Sequence, residues 1–254
     1  MKPCLVVFAL ACCVASKVAV HAQTDAPVLE SMKIHVRNLP AFPITLVARG
    51  VTQGTVRIAV KVDEEGQLVD HLIVGYTDAA LAHVAVNSLK DWQFTPARLD
   101  GEPVPAQSEV VFNFRAEGVV VNQQMVEHYL GRLRPQDSEL VYQPTSLRDL
   151  DQIPTPVHVV SPIYTPEMSD RGLRGEVTID FYIDEQGRVR MPVGPANQNQ
   201  ELAALAMQAV AQWQFEPPTR RGKPVLVLAR QRFNFTGPSA SPPAAAPPPA
   251  PTAP

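Results

Sequence analysis

Cysteine is almost missing from this chain. Cys4, Cys12 and Cys13 are the only three in 254 residues, so everything beyond them offers neither a disulfide nor a thiolate metal site. Charge of one sign is missing as well. The 22 Lys and Arg against 25 Asp and Glu give a formal net charge of −3, which excludes the basic footprint of a nucleic-acid binder. His35, His71, His83, His128 and His158 are scattered, with no pair at metal-ligand spacing. No Gly-x-Ser-x-Gly, Walker or dinucleotide phrase occurs. The acidic stretches Asp63-Glu64-Glu65 and Asp184-Glu185 lack the alternating ligand ladder of an EF-hand and read as solvated hairpin turns. These absences weigh against an enzyme, and neither a cofactor nor a metal is expected.

A long hydrophobic run is also lacking. The apolar stretch from Cys4 to Ala15 follows Lys2 and stops before Lys17, short of the roughly 20 apolar residues of a spanning helix. Val20 and Ala22 then supply the small residues of a cleavage site, so residues 1–22 read as a secretory signal and the mature protein as periplasmic. The alternatives are an inner-membrane anchor, or lipidation at Cys12. From Gly237 the chain turns Pro/Ala-rich and nearly uncharged, and residues 238–254 read as a disordered tail.

What the chain does have is a repeat. DWQFTPARLDGEPV at residues 91–104 returns as QWQFEPPTRRGKPV at residues 212–225. The same offset of 121 superposes Gly54 on Gly175, Asp63 on Asp184, Gly66 on Gly187 and Phe112 on Phe233, without a gap from Gly54 to Phe114. A gapless register of that length marks two copies of one folding unit. The copies differ in charge: four Lys/Arg against nine Asp/Glu in the first, net −5, and seven against six in the second, net +1.

Each copy spells the same elements. Val56, Ile58, Val60 and Val62 alternate with polar neighbours, as do Val177, Ile179, Phe181 and Ile183, which is the period of a half-buried strand. A turn ending in Gly66 or Gly187 returns the chain as a hairpin. The period then changes to helical through Leu81, Val84, Ala85, Ser88, Leu89 and Trp92, and through Leu202, Leu205, Ala206, Ala209, Val210 and Trp213. Asp78 and Asn199 stand at the cap positions. A third strand ends on Phe112-Asn113-Phe114 or Phe233-Asn234-Phe235, giving a β-β-α-β unit with both tryptophans in its core.

Ahead of the second copy stand Pro162, Tyr164, Gly172 and Gly175, followed by Trp213, Phe215, Pro217 and Gly222. This set resembles the TonB C-terminal domain family, over roughly Pro154 to Thr236 and more weakly over Pro40 to Arg115. The resemblance implies an α+β fold of two TonB C-terminal-like domains, each a three-stranded antiparallel sheet with helices on one face. The expected organisation is residues 1–22 signal, 23–116 a divergent first domain, 117–153 a partly helical connector, 154–237 the second domain and 238–254 the tail. In the connector, Asn122 is expected to cap a helix bearing Met125, Val126, Tyr129, Leu130 and Leu133, and Ser146 to cap a shorter one.

The resemblance also implies a function: a non-enzymatic periplasmic module that binds extended peptides of envelope or outer-membrane receptor proteins by strand addition, in energy-coupled outer-membrane transport. The alternative is a scaffold subunit of an envelope assembly, its sheet edges paired. For the first reading the docking strand is expected in the second domain, at Val225, Leu226, Val227, Leu228, Ala229, Arg230, Gln231, Arg232 and Phe233 and on to Phe235. Pro105 lacks the donor that this strand keeps throughout. Arg230 and Arg232 project to one face, where they would favour an acidic peptide.

Overall fold

The computed structural model describes residues 28–125, 140–194 and 199–236. In chain order, β1 (Gln53–Val62), β2 (Leu68–Tyr76), α1 (Ala79–Leu89), β3 (Ala106–Arg115) and β4 (Gly118–Met125) build the first unit. β5 (Gly175–Ile183), β6 (Val189–Val193), α2 (Gln200–Val210) and β7 (Val227–Phe235) build the second. Each unit is an α+β fold with its helix on one face of an antiparallel sheet. Among the described residues no helix is long and apolar enough to cross a membrane.

The repeated phrases meet in space, which explains why they travel together. Asp63 and Asp184 close their hairpin turns by accepting from the Gln67 and Arg188 backbone N–H groups at 2.7 and 2.9 Å. Gly66 and Gly187 follow with φ of +80° and +79°. A Cβ at either glycine would run into the carbonyl oxygen of Phe94 or Phe215, so the turn needs glycine for space as well as for its backbone angle. The Gly187 carbonyl accepts from the Phe215 N–H at 2.8 Å. The Trp-Gln-Phe phrase is thereby fastened to the hairpin tip, with Trp92 5.3 Å from the Phe112 ring centre and Trp213 5.7 Å from that of Phe233.

Both caps form as the sequence indicates: Asp78 accepts from the Ala80 N–H and Asn199 from the Leu202 N–H. The buried faces are Leu81, Ala82, Ala85, Ser88 and Leu89 on α1, and Leu202, Ala203, Ala206, Ala209 and Val210 on α2. They cover Val56, Ile58, Val60 and Val62 of β1 and Val177, Ile179, Phe181 and Ile183 of β5. Val84 and Leu205 are only partly buried and rim the cores.

The sheets differ in one strand. The second runs β6-β5-β7, the expected three strands; the first runs β2-β1-β3-β4. β4 pairs with β3 from Ser108↔Met125 to Arg115↔Gly118 and carries the first unit to Met125, past the boundary expected at residue 116. The helix expected from Asn122 is corrected accordingly, because Asn122 and Met125 lie in this strand. Val119, Val120 and Val121 are stiff at χ1 and suited to a pleated surface, and the waiting edge of β3 decides the outcome over the local helical pattern. Val126, Tyr129, Leu130 and Leu133 lie outside the described residues, as do the signal and the tail. Ser146 does cap a short 3-10 turn, Leu147–Asp149, by accepting from the Arg148 N–H.

The units pack on each other through the sheet faces that carry no helix. Ala59, Leu72 and Val74 of the first bury against Met191 and Leu226 of the second, with Tyr142 and Tyr182 at the margin. Met191 reaches this cluster through a bulge: β6 shifts register between its Asp180 and Tyr182 partners, and Met191 takes φ +50°. Polar links surround the cluster. Arg190 donates to the Asp70 carboxylate and to the His71 carbonyl, and Gln107 Nε2 donates to the Pro192 carbonyl at 2.9 Å. Tyr142 stacks on Tyr76 at 5.0 Å and donates its hydroxyl proton to Glu185, so the described end of the connector touches both units.

Candidate functional site: the free edge of β7

β7 lies at the margin of its sheet. Among the described residues its only long partner is β5, in an unbroken register from Gly175↔Phe235 to Ile183↔Val227. The first turn of the strand is covered by the connector: Thr145 bridges Val227 in parallel, and its N–H donates to the Leu226 carbonyl at 2.7 Å. That carbonyl therefore points outward. In an antiparallel pair the backbone groups alternate sides with period two, so Leu228, Arg230, Arg232 and Asn234 turn their N–H and C=O groups to the same side, which is clear of the Thr145 bridge from Arg230 onward. The Gln231 side chain fits this phase, since its Nε2 reaches back to the Arg232 carbonyl at 2.8 Å.

Of the residues expected in the docking strand, Leu228, Ala229, Arg230, Gln231, Arg232 and Phe233 lie in β7 beyond the Thr145 bridge, while Val227 carries that bridge. Val225 and Leu226 are corrected: they precede the strand. The Val225 N–H donates to the Pro218 carbonyl, and Leu226 is fully buried between the units. A sequence alternating apolar residues could not reveal that the second apolar face belongs to another unit.

The two arginines already have carboxylate partners. Arg230 binds Asp180 through Nε at 2.7 Å and Nη2 at 3.3 Å, which raises its pKa, chiefly through that hydrogen bond. Asp180 is buried while Arg230 is half exposed, so the pair fixes the guanidinium against the sheet. Arg232 pairs with Glu176 at 3.1 Å on an exposed surface. Neither guanidinium is an uncommitted charge, and sequence periodicity gave no sign of Asp180 and Glu176 opposite them.

The motif residues position the sheet rather than line the edge. Tyr164 lies over Phe235 at 5.4 Å and donates to the Leu173 carbonyl at 2.6 Å. Gly172, at φ +77°, ends the helix Pro166–Asp170, and Gly175, at φ +143°, opens β5. Trp213 donates its Nε1 proton to the Val160 carbonyl at 2.7 Å. Pro162, Phe215 and Pro217 flank these contacts, with Phe215 in the core. Gly222 follows Arg221 in a hairpin turn with positive φ at both residues. Asp151 accepts from both of their N–H groups, Gly222 contributing most to holding its carboxyl below the ordinary value.

The first unit provides a comparison within one chain. Pro105 falls between β3 and a short strand, Glu102–Val104, but it is β4 that covers the β3 edge from Ser108 to Arg115. The equivalent edge of β7 has no such strand among the described residues.

The model of the Gram-negative bacterial TonB protein C-terminal matches residues 39–116 and 160–236, more than half of the chain. The chain belongs to this family, twice over. It is similar to Protein TonB of Vibrio cholerae serotype O1, 32% identical over 95 residues. The chain spans 37% of that relative's length, with 37% of its own. The solution NMR structure of the Pseudomonas aeruginosa TonB CTD matches at 30% identity, covering 36% of this chain and 92% of that one, with a TM-score of 0.30.

Proposed function

We propose that this protein is a non-enzymatic interaction module of the Gram-negative envelope, working in the periplasm, whose second unit captures extended segments of envelope or outer-membrane receptor proteins by adding them to the β7 edge. The observation that carries this reading is the contrast between the two edges: β3 is covered by the chain's own β4, while among the described residues no strand covers β7 beyond the Thr145 bridge, where Arg230, Arg232 and Asn234 face outward. An open row of backbone donors and acceptors is a template for a further strand. The family supports a role in energy-coupled outer-membrane transport, which needs a receptor as partner.

The scaffold alternative paired the sheet edges of the two units with each other. The units instead meet through sheet faces, around Ala59, Leu72 and Met191, and this favours the adaptor. The test is a titration of the full chain with peptides from the periplasm-facing N-terminal segments of outer-membrane receptors. Saturable binding that is lost in a variant with a blocked β7 edge supports the adaptor. A stable complex that leaves those peptides unbound supports the scaffold.

A further inference from the structure

We infer that the second unit carries another interaction surface, the tip of the hairpin formed by Thr219–Arg220 and Lys223–Pro224, and that this tip docks on an anionic phospholipid bilayer. The surface is separate from the β7 edge and does not rest on the strand-addition reading. Arg220 stands directly opposite Lys223 in the hairpin, with Arg221 in the turn between them. All three are exposed. Like charges facing each other across a strand pair destabilise it, and among the described residues none of the three joins an ion pair. The tail beyond residue 236 has no acidic side chain to offer either. The first unit shows that the fold does not need this arrangement. The offset of 121 lays Leu99, Asp100 and Glu102 on Arg220, Arg221 and Lys223, and there Leu99 faces Glu102. In one and the same turn, two acids have become three cations.

The geometry favours a surface over a single bound anion. The backbone N–H groups of Arg221 and Gly222 could hold one small anion, but Asp151 already accepts from both, at 2.7 and 2.8 Å. What remains is three side-chain charges on a convex tip. Asp151 also donates its own N–H to the Thr219 carbonyl at 2.9 Å, which lays the segment around it against the hairpin. That segment adds exposed Arg148 and two exposed apolar residues, Leu147 at 41% and Ile153 at 72%, while Asp149 subtracts one charge. Cations together with apolar side chains that can enter the headgroup layer make an interfacial docking site. An acidic protein would answer the cations and leave the apolar residues without a role. A second copy of the chain is a poorer occupant, because the acidic tip of the first unit is engaged: Asp100 accepts from the Val28 N–H at 2.8 Å.

The test is co-sedimentation of residues 23–254 with vesicles; this span keeps every described residue and omits the apolar run of residues 4–15, which would enter a bilayer by itself. Vesicles of phosphatidylcholine mixed with phosphatidylglycerol are expected to bind the protein, and vesicles of phosphatidylcholine alone are not. Binding should fall steeply as ionic strength approaches 1 M, where the Debye length is about 3 Å. Each cation near such a surface contributes about fivefold, so R220Q/R221Q/K223Q should bind about a hundredfold more weakly. Its melting temperature should be no lower than that of the wild type, since the facing cations are gone. K223E places opposite charges across the hairpin and should also fold at least as stably, binding about twentyfold more weakly. Should the triple variant melt lower, K223E alone decides. Undiminished binding of the deciding variant, equal binding to phosphatidylcholine alone, or release by inorganic phosphate at constant ionic strength overturns the proposal. So does salt-sensitive self-association without vesicles that the triple variant abolishes, which assigns the tip to a second copy.

Discussion

Arg190 and Asp70, 120 residues apart, join the two copies: Nε of the arginine donates to one carboxylate oxygen at 3.2 Å and Nη2 to the other. The same Nη2 also reaches the His71 carbonyl at 3.0 Å. With the apolar cluster around Met191, this makes the two family units one body. Arg190→Ala leaves Asp70 beside the interface without its partner and is expected to lower stability by about 1–3 kcal/mol, as for hydrogen bonds to charged groups. Denaturant unfolding of the wild type should be a single transition, and that of the variant should begin earlier or separate into two.

Proline substitution distinguishes the two sides of β7. Arg232→Pro removes an N–H that faces the open edge and an exposed ion pair worth about 0–1 kcal/mol, so the fold should survive while peptide binding is lost. Gln231→Pro removes a group of the β5 ladder instead, at a cost of about 3 kcal/mol or more by analogy with other interior proline substitutions. Circular dichroism melts with peptide titrations of both variants measure the contrast.

The tryptophans of the repeat are not equivalent. Trp213 Nε1 has the Val160 carbonyl at 2.7 Å, whereas Trp92 Nε1 is buried without a hydrogen-bond partner among the described residues. Tryptophan to phenylalanine removes similar apolar area at each site, so the difference between the two variants reports the hydrogen bond. Trp213→Phe leaves the Val160 carbonyl without its donor and should cost about 1–2 kcal/mol more than Trp92→Phe, measured by chemical denaturation.

At high pH the contact between the units should weaken. Burial, followed by the Glu109 charge, pushes the Tyr182 phenol from its ordinary 10.0 up to about 12. The fold favours the neutral phenol, so its contribution is intact below pH 10 and is lost as pH rises towards 12. Stability of the wild type should therefore fall more steeply over that window than stability of Tyr182→Phe. Parallel curves would contradict this.

The sequence made legible whatever is local and repeated. Asp63 and Gly66 predict a turn by their own chemistry, Asp78 and Asn199 predict caps, and the alternation of β1 and β5 identifies the core face. Three features needed tertiary structure. β4 lies outside the repeat, and its valines acquire meaning only beside Phe112 and Phe114. Leu226 reads as one more residue of an alternating strand, yet its burial depends on Ala59 and Leu72, which no local period connects to it. Thr145 shortens the free edge through one backbone bond, from a segment with no strand signal of its own.

Hydrogen exchange resolved at single amides, with and without a receptor-derived peptide, tests the central claim most directly. In the free protein the Arg230, Arg232 and Asn234 amides should exchange fast, while Gln231 and Phe233, bonded to β5, exchange slowly. Peptide should slow the first three and leave the β3 amides from Ser108 to Arg115 unchanged. Protection on β3 with exposure of β4, or no change along β7 at saturating peptide, would contradict the assignment of β7 as the docking edge.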